Sequence, residues 1–175
     1  MRKLFKKNIR LGILGGTFDP PHKGHLHISK IALKKLRLNK LIWVVTKKNP
    51  LKKEPYLKIK TRMKLAKNIT SKEKKIFVQY FDNKIKSNNT FDLLNHLKRK
   101  QEKTKLFFLI GADNLIKFHR WNNWKKIPEL AKIVVFPRKN YYIKSIATKK
   151  LSKKDFIYIK SKKINISSSL IRKFW

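Results

Sequence analysis

The sequence predicts one α/β domain, a doubly wound and mostly parallel sheet with helices on both faces. Three observations carry that expectation. Short apolar runs alternate along the chain with stretches of helical periodicity. The runs are nearly continuous in apolar residues, as strands covered on both faces must be. Glycines close two of them, at Gly15-Gly16 and at Gly111, and open sheets of this kind bind ligands beyond their strand carboxyl ends. Right-handed crossovers would then place helices on both sides of the sheet.

Each element has its own reason. Residues 9–14 read as a first, central strand, and Leu26, Ile28, Ile31, Ala32, Leu33 and Leu36 mark a helical face over 24–37. Leu41 to Val45 is a β-branched apolar run, a second strand. Asn49-Pro50 and Glu54-Pro55 punctuate a loop over 47–55. Ile59, Met63, Leu65, Ala66 and Ile69 give a second helix, and 76–81 a third strand closed by Asp82. Residues 83–90 read as a loop, followed by a helix carrying Phe91, Leu93, Leu94 and Leu97. Leu106 to Ile110 is a fourth strand, closed by Gly111-Ala112-Asp113. Ile133 to Phe136 gives a fifth strand and Phe156 to Ile159 a sixth. A last helix runs from Ser167 to Phe174.

The 175 residues are 41% hydrophobic, enough for one sizeable core spanning 1–175. There is no cysteine, so neither disulfides nor thiolate metal sites are expected, and a reducing, cytoplasmic setting fits. The basic start, Met1 to Lys7, lacks an apolar stretch of signal-peptide length. The most apolar run, Leu106 to Ala112, is too short to span a bilayer. Against 47 Lys and Arg stand only 9 Asp and Glu, a net charge of +38. One reading is a basic nucleic-acid-binding module without catalysis. However, only eight of the 47 are arginine, and the lysines are spread along the chain among Asn, Ile and Phe. That dispersion favours a compositional origin over a specific nucleic-acid or membrane surface. A positive field would still hasten the arrival of anionic substrates.

The most informative stretch is Gly15-Gly16-Thr17-Phe18-Asp19-Pro20-Pro21-His22-Lys23-Gly24-His25. Glycines after a strand are expected to let the backbone turn and approach a ligand closely. Two histidines then stand at a helix start, where free N–H groups and the dipole favour an anion. Alone, such a pair serves equally as exposed or capping residues. A metal cluster with His27 is disfavoured, because His27 lies two along the helix from His25 and Asp19 is the only nearby carboxylate. Asp19 is expected to brace the turn. Ser167 suits an N-cap, Asp113 a strand-to-helix turn, and Phe118, Trp121 and Trp124 suit a core.

Taken together, these residues resemble a known family. Gly-Gly-Thr-Phe-Asp-Pro-x-His-x-Gly-His is similar to the signature of the nucleotidylyltransferase superfamily. Gly111-Ala112-Asp113-Asn114-Leu115 with Phe118-His119-Arg120-Trp121, and Ile166-Ser167-Ser168-Ser169-Leu170-Ile171-Arg172, most resemble bacterial nicotinate-nucleotide adenylyltransferases. The resemblance covers residues 10 to 172.

The resemblance implies a Rossmann-like fold and transfer of AMP from ATP to nicotinate mononucleotide, with Mg²⁺ accompanying the ATP and no covalent enzyme intermediate. It implies catalytic roles for His22, His25 and Arg172. ATP would be held by Gly15, Gly16, Thr17, Phe18, His22, His25, Gly111, Asp113, Ser167, Ser168, Ser169 and Arg172. The mononucleotide would be held by Thr90, Phe118 and Trp121, with Lys52 or Lys53 on its phosphate; no resident metal is implied. Two departures stand out: Asn49-Pro50-Leu51-Lys52-Lys53 replaces a Pro-Pro-His-Lys loop, and Asn89-Thr90 replaces a Tyr-Thr pair. Acceptors in related enzymes include nicotinamide mononucleotide and phosphopantetheine; the Phe118–Trp121 segment argues against the latter. Exposed apolar groups near Trp175 permit a dimer without requiring one.

Overall fold

The computed structural model describes residues 9–100, 103–138, 145–161 and 166–174. The basic start at 1–7 and Trp175 lie outside them. The chain runs β1 (Arg10–Gly16), α1 (Lys23–Lys35), β2 (Lys40–Val45), α2 (Ile59–Thr70), β3 (Ile76–Gln79), α3 (Asp82–Ile85) and α4 (Thr90–Lys100). It continues through β4 (Lys105–Gly111), α5 (Ala112–Lys117), α6 (Ile127–Leu130), β5 (Ala131–Phe136), α7 (Ile146–Lys150), β6 (Phe156–Tyr158) and α8 (Ser168–Ile171). The six strands form one sheet in the order β3-β2-β1-β4-β5-β6, and every neighbouring pair is parallel. The order reverses between β1 and β4, which opens a crevice at their carboxyl ends.

Strand periodicity divides the core into two layers. Ile13, Val44, Phe108, Ile110, Ile133 and Val135 point to one face, where Leu93 and Leu94 of α4, Leu115 of α5, Phe118 and Ile127 cover them. Leu14, Trp43, Val45, Leu109, Val134 and Phe136 point to the other, beneath Ala32 and Leu36 of α1 and Ala66 of α2. This is why the strands are apolar throughout: both faces are buried. One polar chain crosses the second layer, with Trp43 Nε1 donating to Ser29 Oγ at 2.8 Å and Ser29 Oγ donating to the His25 carbonyl at 2.7 Å. It fastens the first turn of α1 to β2. Among the described residues, no helix is long and apolar enough to cross a membrane.

Several expectations need correcting. Gly15 and Gly16 do not form the turn: both belong to β1, paired with Val44 and Val45, and no described glycine has positive φ. The left-handed residue is Phe18, with φ of 49°. Its ring is 2% exposed and stacks 5.0 Å from Trp43, so core packing offsets the backbone strain there. Residues 83–90 are not all loop, since α3 occupies Asp82–Ile85. The last helix is short, α8 passing at once into a 3₁₀ turn over Arg172–Phe174.

Candidate active site

His22 is the N-cap of α1 and His25 lies in its first turn. The Gly24 amide donates to His22 Nδ1 at 3.1 Å, and the His22 amide donates to His25 Nδ1 at 3.2 Å. Both Nδ1 atoms are therefore acceptors, so each neutral ring carries its proton on Nε2. The rings lie 3.8 Å apart, and Phe18 supports His25 from 4.8 Å. Desolvation, with the Arg138 charge added, lowers the His22 pKa from 6.5 to about 4. Desolvation first, then His22 and Arg138, holds His25 well below 6.5. At neutral pH the pair is two uncharged N–H donors. Gly24 is required here, because a Cβ would stand 2.9 Å from the His22 ring and from Ile166 Cγ2.

The carboxyl-terminal segment closes on this turn. Ser167 Oγ caps α8 by accepting from the Leu170 amide at 3.1 Å, and Ser168 Oγ donates to the Pro20 carbonyl at 2.8 Å. Arg172 donates to the Asp19 carbonyl, lies 3.3 Å from Ser169 Oγ, and stacks over the Tyr56 ring at 5.2 Å. Arg172 thus shares one side of the sheet with the imidazole pair, as a common phosphate site requires. Asp19, 3% exposed, braces more than its own turn: its carboxylate accepts from the Tyr56 amide at 2.8 Å and the Leu57 amide at 2.9 Å.

At the end of β4, Gly111 leads directly into α5. A Cβ there would fall 2.4 Å from Asp113 Oδ1, so only glycine lets this carboxylate fold back. Asp113 Oδ2 accepts from Arg138 at 2.6 Å, while the buried Oδ1 has no hydrogen-bond partner among the described residues. Lys52 sits with this group although its surface is largely exposed. Desolvation of its ammonium lowers its pKa; Asp113 opposes the shift, and Arg138, Lys117 and Arg172 add to it. Lys52 therefore lies on the Asp113 and Arg172 side, and Lys53 is exposed.

Next to these groups is a cleft at the carboxyl ends of β1 and β2. Gly15, Gly16, Thr46 and Phe108 form its floor, with Asn49, Leu51, Asn88, Thr90 and Trp121 around the rim. Gly15 and Gly16 matter here as bare floor. Trp121 packs edge-on against Phe108 at 5.9 Å and tilts on Phe118 at 5.1 Å. Phe118 itself is fully buried in the core behind Trp121, so it supports the wall without lining it. Trp124 packs against Phe118, as expected of a core residue.

Sequence reasoning missed two arginines. Arg62 of α2 is 2% exposed and donates only to carbonyls: Leu57 at 2.8 Å, Thr17 at 2.5 Å, Thr46 at 2.7 Å and Lys47 at 2.9 Å. It ties the exits of β1 and β2 to the start of α2. Its signal was an arginine set beside the apolar stripe of Ile59, Met63 and Ala66 in a lysine-rich chain. Arg138, two residues beyond β5, belongs to no quoted motif. Among the described residues, no three His, Cys, Asp or Glu side chains cluster as a metal site would require.

A parallel sheet in this order binds ligands at its switch point, where the paired imidazoles stand. Residues 13–174 match the Cytidylyltransferase-like family, which makes the chain a nucleotidyltransferase. The chain is 46% identical over 173 residues to a probable nicotinate-nucleotide adenylyltransferase of Pelagibacter ubique, covering 97% of this chain and 96% of that protein. It is 38% identical over 128 residues to one from a Ruegeria species, covering 73% and 67%. The chain belongs to the nicotinate-nucleotide adenylyltransferase family. A solved nicotinic acid mononucleotide adenylyltransferase from Plasmodium falciparum, complexed with NaAD, shares the fold. Its TM-score is 0.79 at 22% identity, over 95% of this chain and 83% of that one.

Proposed function

We propose that this protein transfers the adenylyl group of ATP to nicotinate mononucleotide, releasing pyrophosphate and forming nicotinate adenine dinucleotide. The observation that carries this reading is the stretch 15–25, which serves two subsites at once. Its glycines floor the aromatic-walled cleft, and its imidazoles adjoin the cations around Asp113. A mononucleotide in the cleft presents its phosphate to the α-phosphorus of an ATP held by those cations. A phosphate oxygen attacks in line, the new P–O bond forms, and the bond to pyrophosphate breaks. No proton need move, so positioning and charge stabilisation suffice.

The residue roles follow. His22 and His25 donate from Nε2 to α-phosphate oxygens as charge builds there. Arg172, with Ser168 and Ser169, and Lys52 hold the outer phosphates. Asp113 Oδ1 accepts a ribose hydroxyl. Trp121 stacks on the nicotinate ring, and Thr90 contributes from the start of α4. Asp19 is engaged by backbone amides, and Asp113 through Oδ2 by Arg138. Mg²⁺ would accompany the polyphosphate of ATP and neutralise charge there. The lack of cysteine supports a reducing, cytoplasmic setting.

The test is pyrophosphate release from ATP and Mg²⁺ with nicotinate mononucleotide, nicotinamide mononucleotide or phosphopantetheine as acceptor. Fastest turnover with the nicotinate form is expected. Absence of pyrophosphate with that acceptor would sink the reading.

A further inference from the structure

The positive charge around Asp113 is not balanced within the protein. Lys52 feels the charges of Arg138, Lys117 and Arg172 there. Asp113 answers them with one carboxylate, and Asp19 is committed to the Tyr56 and Leu57 amides. A guanidinium carries five N–H donors in a rigid fork. Among the described residues, Arg138 makes one hydrogen bond, from Nη1 to Asp113 Oδ2 at 2.6 Å. Its side chain is 35% exposed, and its other N–H groups make no bond to a described residue.

The backbone fixes where those donors sit. Phe136, the last residue of β5, pairs with Gly111, the last of β4, so Arg138 emerges beside the residue that opens toward α5. The Asp113 pair then holds the guanidinium on the donor side of the imidazoles. Its charge is felt at both rings and at Lys52.

We propose that Arg138 is a further donor-site residue, anchored by Asp113, that contacts the polyphosphate of ATP directly. The proposal rests on the adenylyl-transfer reading. It divides the work at Asp113: Oδ2 anchors the cation that meets the phosphates, and the unpartnered Oδ1 stays available for the ribose. A single carboxylate thereby sets the spacing between ribose and polyphosphate. A lysine at 138 could pair with Asp113 or reach a phosphate as a point charge, but it could not fork between the two.

The test uses the full chain and the variants Arg138→Gln and Arg138→Lys. Binding of ATP, inorganic pyrophosphate and adenosine is measured by calorimetry at fixed ionic strength, and thermal melts confirm folding. Arg138→Gln should weaken ATP and pyrophosphate by about tenfold to a hundredfold, the range for a lost hydrogen bond to a charged group. Adenosine binding should be unchanged, and Arg138→Lys should fall between. In turnover, KM for ATP should rise while KM for nicotinate mononucleotide holds. Equal losses for adenosine and ATP would mean that Arg138 acts only through Asp113, and unchanged ATP affinity would remove it from the site; either overturns the proposal. These binding measurements need no acceptor. A wrong acceptor would show instead as ATP and pyrophosphate binding intact in a protein that does not turn over nicotinate mononucleotide.

Discussion

Acid should destabilise this protein between about pH 6.5 and 4, and His22 is the reason. In the folded chain its pKa is about 4, against 6.5 for an ordinary imidazole. Above pH 6.5 the ring is neutral in both folded and unfolded states, so it contributes nothing to the pH dependence. As pH falls below 6.5, the unfolded chain takes up a proton that the folded chain refuses, and stability declines until about pH 4. At about 1.36 kcal/mol per unit, the gap of about 2.5 units amounts to roughly 3 kcal/mol in full and about 2 kcal/mol at pH 5. His25 is shifted in the same direction and steepens the loss. Urea midpoints from pH 7.5 to 5 in wild type and His22→Gln would measure it. The wild-type curve should fall across this window, and the variant should lose most of the His22 share of the slope. Parallel curves would show that His22 titrates normally in the fold and would refute the claim that burial holds its ring uncharged.

Three further outcomes follow from the contacts. His25→Ala should lower kcat on the order of 10²–10³-fold, as loss of a transition-state donor does; wild-type turnover would remove His25 from the mechanism. Trp121→Ala should raise KM for nicotinate mononucleotide more than KM for ATP, and equal effects would argue against a ring-stacking role. Arg62→Met strands four carbonyls that now accept from a guanidinium, so the urea midpoint should drop by the equivalent of about 3–5 kcal/mol. An unchanged midpoint would show that those carbonyls find other donors.

What could be read in the sequence followed from burial on two faces. Parallel strands covered on both sides leave continuous apolar runs, and all six strands were visible that way. The histidine pair was visible as two polar rings at a helix start after the glycines, and His22 caps that start through its own Nδ1. The glycine argument named the right residues for the wrong reason. Gly15 and Gly16 look like a turn, but the strained φ falls on Phe18, where the packing of one ring under His25 and on Trp43 could not be seen locally. Phe118 and Trp121 are three apart, and no periodicity says which faces the cleft; the 3₁₀ turn over Phe118–Arg120 buries the first and leaves the second at the rim. Arg62 and Arg138 were hidden for a common reason. Most of their partners lie 15 to 45 residues away in the chain, and a lysine-rich composition masks any single cation.

Asp19 explains why a phosphate motif should contain a buried carboxylate that takes no part in the proposed reaction. Its side chain bonds the amides of Tyr56 and Leu57, which end the loop carrying Asn49, Leu51 and Lys52. Its carbonyl accepts from Arg172, which also covers the Tyr56 ring. The rim of the acceptor cleft and the arginine of the donor site are therefore referred to one residue, three positions before His22. An in-line attack works only when oxygen and phosphorus are held about 3–3.5 Å apart and aligned. Two subsites on separate loops would drift relative to each other by more than that tolerance. Fixing both to Asp19, with Arg62 clamping the strand ends beneath, makes their separation a property of the sheet rather than of either loop.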